Sequence, residues 1–110
     1  MIKTVIRFIN EFTGGGRNEQ VINCFMNGCC YWFAKILKDR FAHSDVMYSD
    51  RENHFGCRIG RRVYDITGEV TNAYDWEPWA DFIYREPRQA ALITQGCILK
   101  EPHIFEEDDA

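Results

Sequence analysis

Of the side chains able to do chemistry, Cys30 has the most telling surroundings. It follows Asn27-Gly28, a turn signal, and begins the apolar-periodic run Cys30-Tyr-Trp-Phe-Ala-Lys-Ile-Leu-Lys-Asp-Arg-Phe41. A thiol attacks as thiolate, and its pKa falls at a helix N-terminus or beside an imidazolium. The first turn of a helix also carries backbone N–H groups without internal acceptors, which are natural donors to an oxyanion. Cys29 is the competing thiol. Adjacent helical residues project about 100° apart, so only one of the two can face a cleft. Placing Cys29 in the approach loop and Cys30 on the helix favours Cys30 as the nucleophile, with Cys29 as the alternative.

A base and its orienting acid come from the segment His54–Thr67. Two strands around Gly60-Arg61 are expected to form a hairpin. With a two- or four-residue loop, Arg62 pairs with Ile59, Tyr64 with Cys57 and Ile66 with Phe55. Phe55, Cys57, Ile59, Tyr64 and Ile66 then share an apolar face. His54, Gly56, Arg58, Val63, Asp65 and Thr67 share the other, with His54 and Asp65 as diagonal neighbours and Gly56 leaving room between them. A three-residue loop would flip this parity and separate the pair. A carboxylate beside an imidazole fixes its tautomer and stabilises its charged form once it has taken a proton.

The elements that must hold these groups are short. Ile2, Val5, Ile6, Ile9 and Phe12 draw one helical stripe, closed by Thr13-Gly14-Gly15-Gly16. A second helix is expected over 18–25 with Asn18 as its cap. The helix bearing Cys30 follows, then a strand over Val46–Ser49, a turn over 50–53 and the hairpin. Residues 72–86, with Tyr74, Trp76, Pro78, Trp79, Phe82 and Tyr84, are expected to form a loop with a short helical turn that covers the core. A short helix over 87–94 and a strand over 96–99 complete the pattern. The fold class is α+β, N-terminal helices on a small antiparallel sheet. It forms a single domain over residues 1–105 with an acidic tail over 106–110.

Composition narrows the function classes. The 110 residues are 45% hydrophobic and 15% aromatic, enough for a folded core. The net charge of -4 equals the four acids of Glu106–Asp109, and the remaining Arg and Lys form no stripe. Binding of nucleic acid through a basic face is therefore not expected. Met1–Phe12 lacks the form of a signal peptide, and no stretch is long enough to span a bilayer, so a cytoplasmic location is expected and no membrane partner. The five cysteines, an odd number, do not make a disulfide framework, and their spacing does not suit structural zinc; no metal or other cofactor is expected. His43 and His103 lie outside any motif, and Arg58 is expected at the surface.

The stretches Asn27-Gly-Cys-Cys-Tyr-Trp-Phe-Ala34 and His54-Phe-Gly-Cys-Arg-Ile-Gly-Arg-Arg-Val-Tyr-Asp-Ile-Thr-Gly68 resemble the papain-like cysteine peptidase superfamily. That group includes bacterial cell-wall amidases and transglutaminase-like enzymes, and the likeness to small bacterial and phage members covers roughly residues 23–68. The resemblance implies a helix carrying Cys30 packed on a sheet carrying His54 and Asp65, and a peptide or protein substrate. The chain departs from the larger peptidases in having no glutamine shortly before the nucleophile. Asn27 and Asn23 are the side chains near enough in sequence to take its place beside the Cys30 amide. The activity implied is a thiol hydrolase acting on an amide, isopeptide or thioester bond. An acyl transferase of transglutaminase type would use the same intermediate, and a phage-type binding or inhibitor protein could retain the scaffold without turnover.

Overall fold

The computed structural model describes residues 2–26 and 29–99, with the side chains of residues 98 and 99 excepted. Among the described residues, five helices and five short strands follow in the order α1 (Ile2–Phe12), α2 (Glu19–Met26), α3 (Cys30–Arg40), β1 (Ser44–Ser49), β2 (His54–Ile59), β3 (Arg62–Asp65), β4 (Gly68–Glu69), β5 (Glu77–Pro78), α4 (Trp79–Arg85) and α5 (Pro87–Leu99). The strands form one antiparallel sheet in the order β4-β3-β2-β1-β5. The expected α+β class, helices on a small antiparallel sheet, is the one observed.

The N-terminal helices start and stop for local reasons. Val5 and Ile9 of α1 are buried, one stripe as the spacing requires. Gly14, Gly15 and Gly16 then hold φ values of 63°, 74° and 83°, a left-handed run that side chains would strain. Asn18 caps α2 by accepting a hydrogen bond from the Val21 amide at 3.1 Å. α3 crosses the sheet and divides the core in two. On one side Val5, Ile9, Phe25, Phe33, Leu37, Tyr64 and Ile66 pack together with Cys29. On the other, Cys30 and Ala34 meet Tyr48, Phe55, Trp79, Phe82 and Ala90.

The hairpin has the expected register, with Ile59 opposite Arg62 and Cys57 opposite Tyr64. Gly60 takes φ 68° at its turn. The second strand is shorter than expected, however, and its ladder stops at Asp65. Both the Thr67 amide and its hydroxyl donate to Asp65 Oδ1, and Gly68 at φ 121° lets the chain reverse so that Asp65 pairs with Gly68. Side-chain bonding to a nearby amide diverts the backbone from the sheet.

Two further elements differ from expectation. β1 begins at Ser44 rather than Val46, because the polar Asp45 pairs across the sheet with Arg58 through a 2.6 Å ion pair. The strand expected over 96–99 is helix, the last part of α5. Ala90 is buried and Ile93 and Cys97 pack beside it at helical spacing, and a Cβ at Gly96 would meet nothing, so glycine there leaves no packing gap. Trp32 Nε1–H donates to the Cys97 carbonyl at 2.7 Å, tying α5 to α3. The covering segment 72–86 resolves into a loop, the edge strand β5 and α4, tied by Arg85 to both carboxylate oxygens of Glu77 at 2.7 and 3.1 Å. The acidic run 106–110 and His103 lie outside the described residues.

Candidate active site

His54 opens β2 and Asp65 closes β3, so one hairpin delivers both to the same end of the sheet. His54 Nε2–H donates to Asp65 Oδ2 at 2.8 Å, and the two side chains are only 7% and 3% exposed. Asp65 is itself held, since Oδ1 accepts from the Thr67 amide at 2.8 Å and from its hydroxyl at 2.6 Å. With Nε2 bonded to Asp65, the ring nitrogen left for a proton-transfer partner is Nδ1.

The Cys30 thiol acts on the same ring. Burial alone would lower the His54 pKa, but hydrogen bonds to Asp65 and to Cys30, with the charges on both, override it and raise it from 6.5 to about 9. The site therefore favours a charged imidazolium. Cys30 is the first residue of α3, and Cys29, the N-cap, offers no side-chain cap to the first-turn amides. Trp32 and Phe33 both bond the Cys29 carbonyl, so the Cys30 N–H stands ahead of the first closed turn.

Two neighbouring thiols are shifted the other way from a reactive one. Burial, reinforced by hydrogen bonding to Cys24, pushes the Cys29 pKa up to about 12, and burial takes Cys57 to about 11. A thiol so raised stays protonated at neutral pH and is a poor nucleophile. The adjacent side chains of Cys29 and Cys30 belong to different halves of the core, as their helical offset requires.

A cover shields the His54 face. The rings of Tyr74 and Trp76 lie 4.7 and 6.0 Å from the imidazole, and Trp76 Nε1–H is anchored to the Val70 carbonyl at 3.1 Å. The space at Gly56 is filled by this cover: a Cβ there would come within 2.9 Å of Trp76 Cη2 and of Val63 Cγ1. Tyr74, Trp76 and Thr67 are the site neighbours that sequence reasoning did not assign. Thr67 had a signal, a hydroxyl residue two positions after an Asp in a turn; the aromatic pair had none that distinguished it from core.

Of the other expected site residues, Asn23 occupies an exposed position on α2, and Asn27 lies outside the described residues. Arg58 is engaged with Asp45, and His43 is exposed in the turn before β1. Among the described residues, no three His, Cys, Asp or Glu side chains gather as metal ligands would, and no helix is long and apolar enough to cross a membrane.

The fold and this site describe an α+β protein in which a helix-borne cysteine meets a histidine and an aspartate carried by one β-hairpin. A family model described as Phage YunG-like protein matches residues 5–93, a span that takes in all three side chains. The chain belongs to that family. Neither the curated proteins nor the solved structures give a match.

Proposed function

We propose that the chain is a papain-like thiol hydrolase that cleaves an amide, isopeptide or thioester bond in a peptide or protein through an acyl-enzyme on Cys30. The observation that carries this reading is the buried His54–Asp65 hydrogen bond, with Cys30 near enough to the same imidazole to help raise its pKa. His54 takes the Cys30 proton and keeps it, because Asp65 stabilises the charge. The Cys30 sulfur attacks the carbonyl carbon, forming a C–S bond and placing negative charge on the carbonyl oxygen. The Cys30 N–H at the open end of α3 is positioned to stabilise that charge.

Collapse of the intermediate breaks the bond to the leaving amine or thiol, which departs with the proton from His54. Water then attacks the thioester, giving a proton back to His54. The C–S bond breaks, releasing the acid and restoring the pair. An amine attacking in place of water would make the same intermediate serve acyl transfer.

The test is acylation by an activated ester such as p-nitrophenyl acetate, read by intact-protein mass spectrometry. The expected result is one acetyl group, mapped to Cys30 and absent from Cys30→Ser. Acetylation spread over several thiols or lysines, unchanged in Cys30→Ser, would sink the reading.

A further inference from the structure

Ser49, the last residue of β1, is 0% exposed, and its hydroxyl has no hydrogen-bond partner among the described residues. Burying a hydroxyl unpaired costs stability, and a catalytic role is one reason that a fold retains such a group. Its register places it at the site. Ser49 stands directly across from His54 in the β1–β2 ladder. Side chains so paired project to the same face, with Cβ atoms about 4.5–5.5 Å apart. The next pairs on that face are Met47 with Gly56, neither of which carries a side-chain N–H or O–H, and Asp45 with Arg58, which bind each other at 2.6 Å. His54 is therefore the polar side chain of this face nearest to Ser49.

Strand β2 lies between β3 and β1, so the imidazole has the Asp65 carboxylate on one flank and the Ser49 hydroxyl on the other. Asp65 takes Nε2–H, which leaves Nδ1 for proton transfer. Once Cys30 is acylated, its sulfur has no proton to exchange, and the group that must reach Nδ1 is the acyl acceptor. A second polar contact fixes the direction of that acceptor, which is the entropic part of catalysis. The full burial of Ser49 suits an acceptor no larger than water, and a buried water takes polar partners of this kind.

We propose that Ser49 positions the water that hydrolyses the acyl-enzyme, a role that rests on the thiol-hydrolase reading. The water gives one proton to His54 Nδ1, turns its other O–H to Ser49 Oγ and attacks the thioester carbon with an oxygen lone pair. A C–O bond forms and the C–S bond breaks, leaving the Cys30 thiolate beside the imidazolium. The second hydrogen departs on the carboxylic acid. Formation of the acyl-enzyme needs no water, so Ser49 bears on its release alone. Its hydroxyl has no side-chain bond to lose in the resting protein, so Ser49→Ala should be at least as stable as the native chain.

The experiment treats the native chain and Ser49→Ala with p-nitrophenyl acetate, removes the excess by rapid desalting, and follows the acetyl mass on Cys30. The acetyl group is expected to appear at equal rates in both proteins. It should leave Ser49→Ala about tenfold more slowly, the scale of one lost hydrogen bond, with no fall in thermal stability. Equal rates of release, or equal slowing of both steps, would overturn the role of Ser49 while leaving Cys30 as the nucleophile. Release that added n-butylamine accelerates in the native chain but not in Ser49→Ala would give the position to an amine and contradict the assignment of water. A native chain that takes no acetyl group on Cys30 would overturn the thiol reading, and the role of Ser49 with it.

Discussion

Asp65 divides its two carboxylate oxygens between Thr67 and His54: Oδ1 accepts from the Thr67 amide and hydroxyl, and Oδ2 from the His54 ring. The same turn that ends β3 therefore aims the carboxylate at the imidazole. Replacing Thr67 by Val removes the hydroxyl donor and keeps the shape. The expected cost is about 1 kcal/mol, with a downward shift of the His54 pKa as Asp65 loses its fixed orientation. Thr67→Ser should retain both properties. Histidine proton resonances followed against pH check this, and an unmoved His54 titration in Thr67→Val would contradict it.

Stability should depend on pH through His54. Its folded pKa of about 9 lies above the unfolded 6.5, so the folded state holds the proton more tightly. The stabilisation is fully present below pH 6.5 and is lost as pH rises through 9. It amounts to something on the order of 2 kcal/mol. Urea unfolding at pH 6 and at pH 9.5 measures the difference. Asp65→Asn should flatten most of it, because the carboxylate is the charge that holds the proton.

Gly56 to Ala tests the aromatic cover. The added methyl would press on Trp76, Val63 and the Tyr64 carbonyl, two of these at 2.9 Å. The expected loss is about 1–3 kcal/mol, the usual range for overpacking. Near-ultraviolet circular dichroism should report displacement of Trp76. A variant with unchanged stability and spectrum would show that the cover yields without cost.

How much the sequence disclosed follows from how local each determinant is. Hairpin parity is set by a two-residue turn and an alternating pattern, so the pairing of Ile59 with Arg62 and of Cys57 with Tyr64, and the shared face of His54 and Asp65, could be read directly. The end of β3 could not be read from alternation, which runs on to Thr67; side-chain bonds within the turn stop the ladder first. The segment 96–99 reads as a strand from sequence because four residues carry no clear period, and the contact between Trp32 and the Cys97 carbonyl joins residues far apart in sequence. Loop and helix placement favour Cys30 over Cys29 in the sequence; what only the fold shows is that Cys29 shares its half of the core with α1 and α2 residues while Cys30 belongs to the other half.

Cysteine substitutions should sort in the same way. Cys29→Ser places a hydroxyl in an apolar cluster and should cost about 1–3 kcal/mol of stability while leaving the reactivity of Cys30 in place. Cys30→Ser should abolish acylation with a smaller effect on stability. Thermal unfolding and mass spectrometry on the two variants check the division. Loss of Cys30 labelling in a folded Cys29→Ser protein would reverse the assignment.

The most direct measurement is the rate of Cys30 alkylation by iodoacetamide as a function of pH, in the native chain and in His54→Ala, with sites identified by peptide mass spectrometry. If His54 holds the proton taken from Cys30, the native chain is selectively alkylated at Cys30 and is already fast at pH 7. In His54→Ala the reaction is slow there and rises only toward about pH 8.5, the ordinary thiol range. Equal, slow labelling of all accessible thiols, with the same pH profile in both proteins, would contradict the coupling of Cys30 to the His54–Asp65 pair.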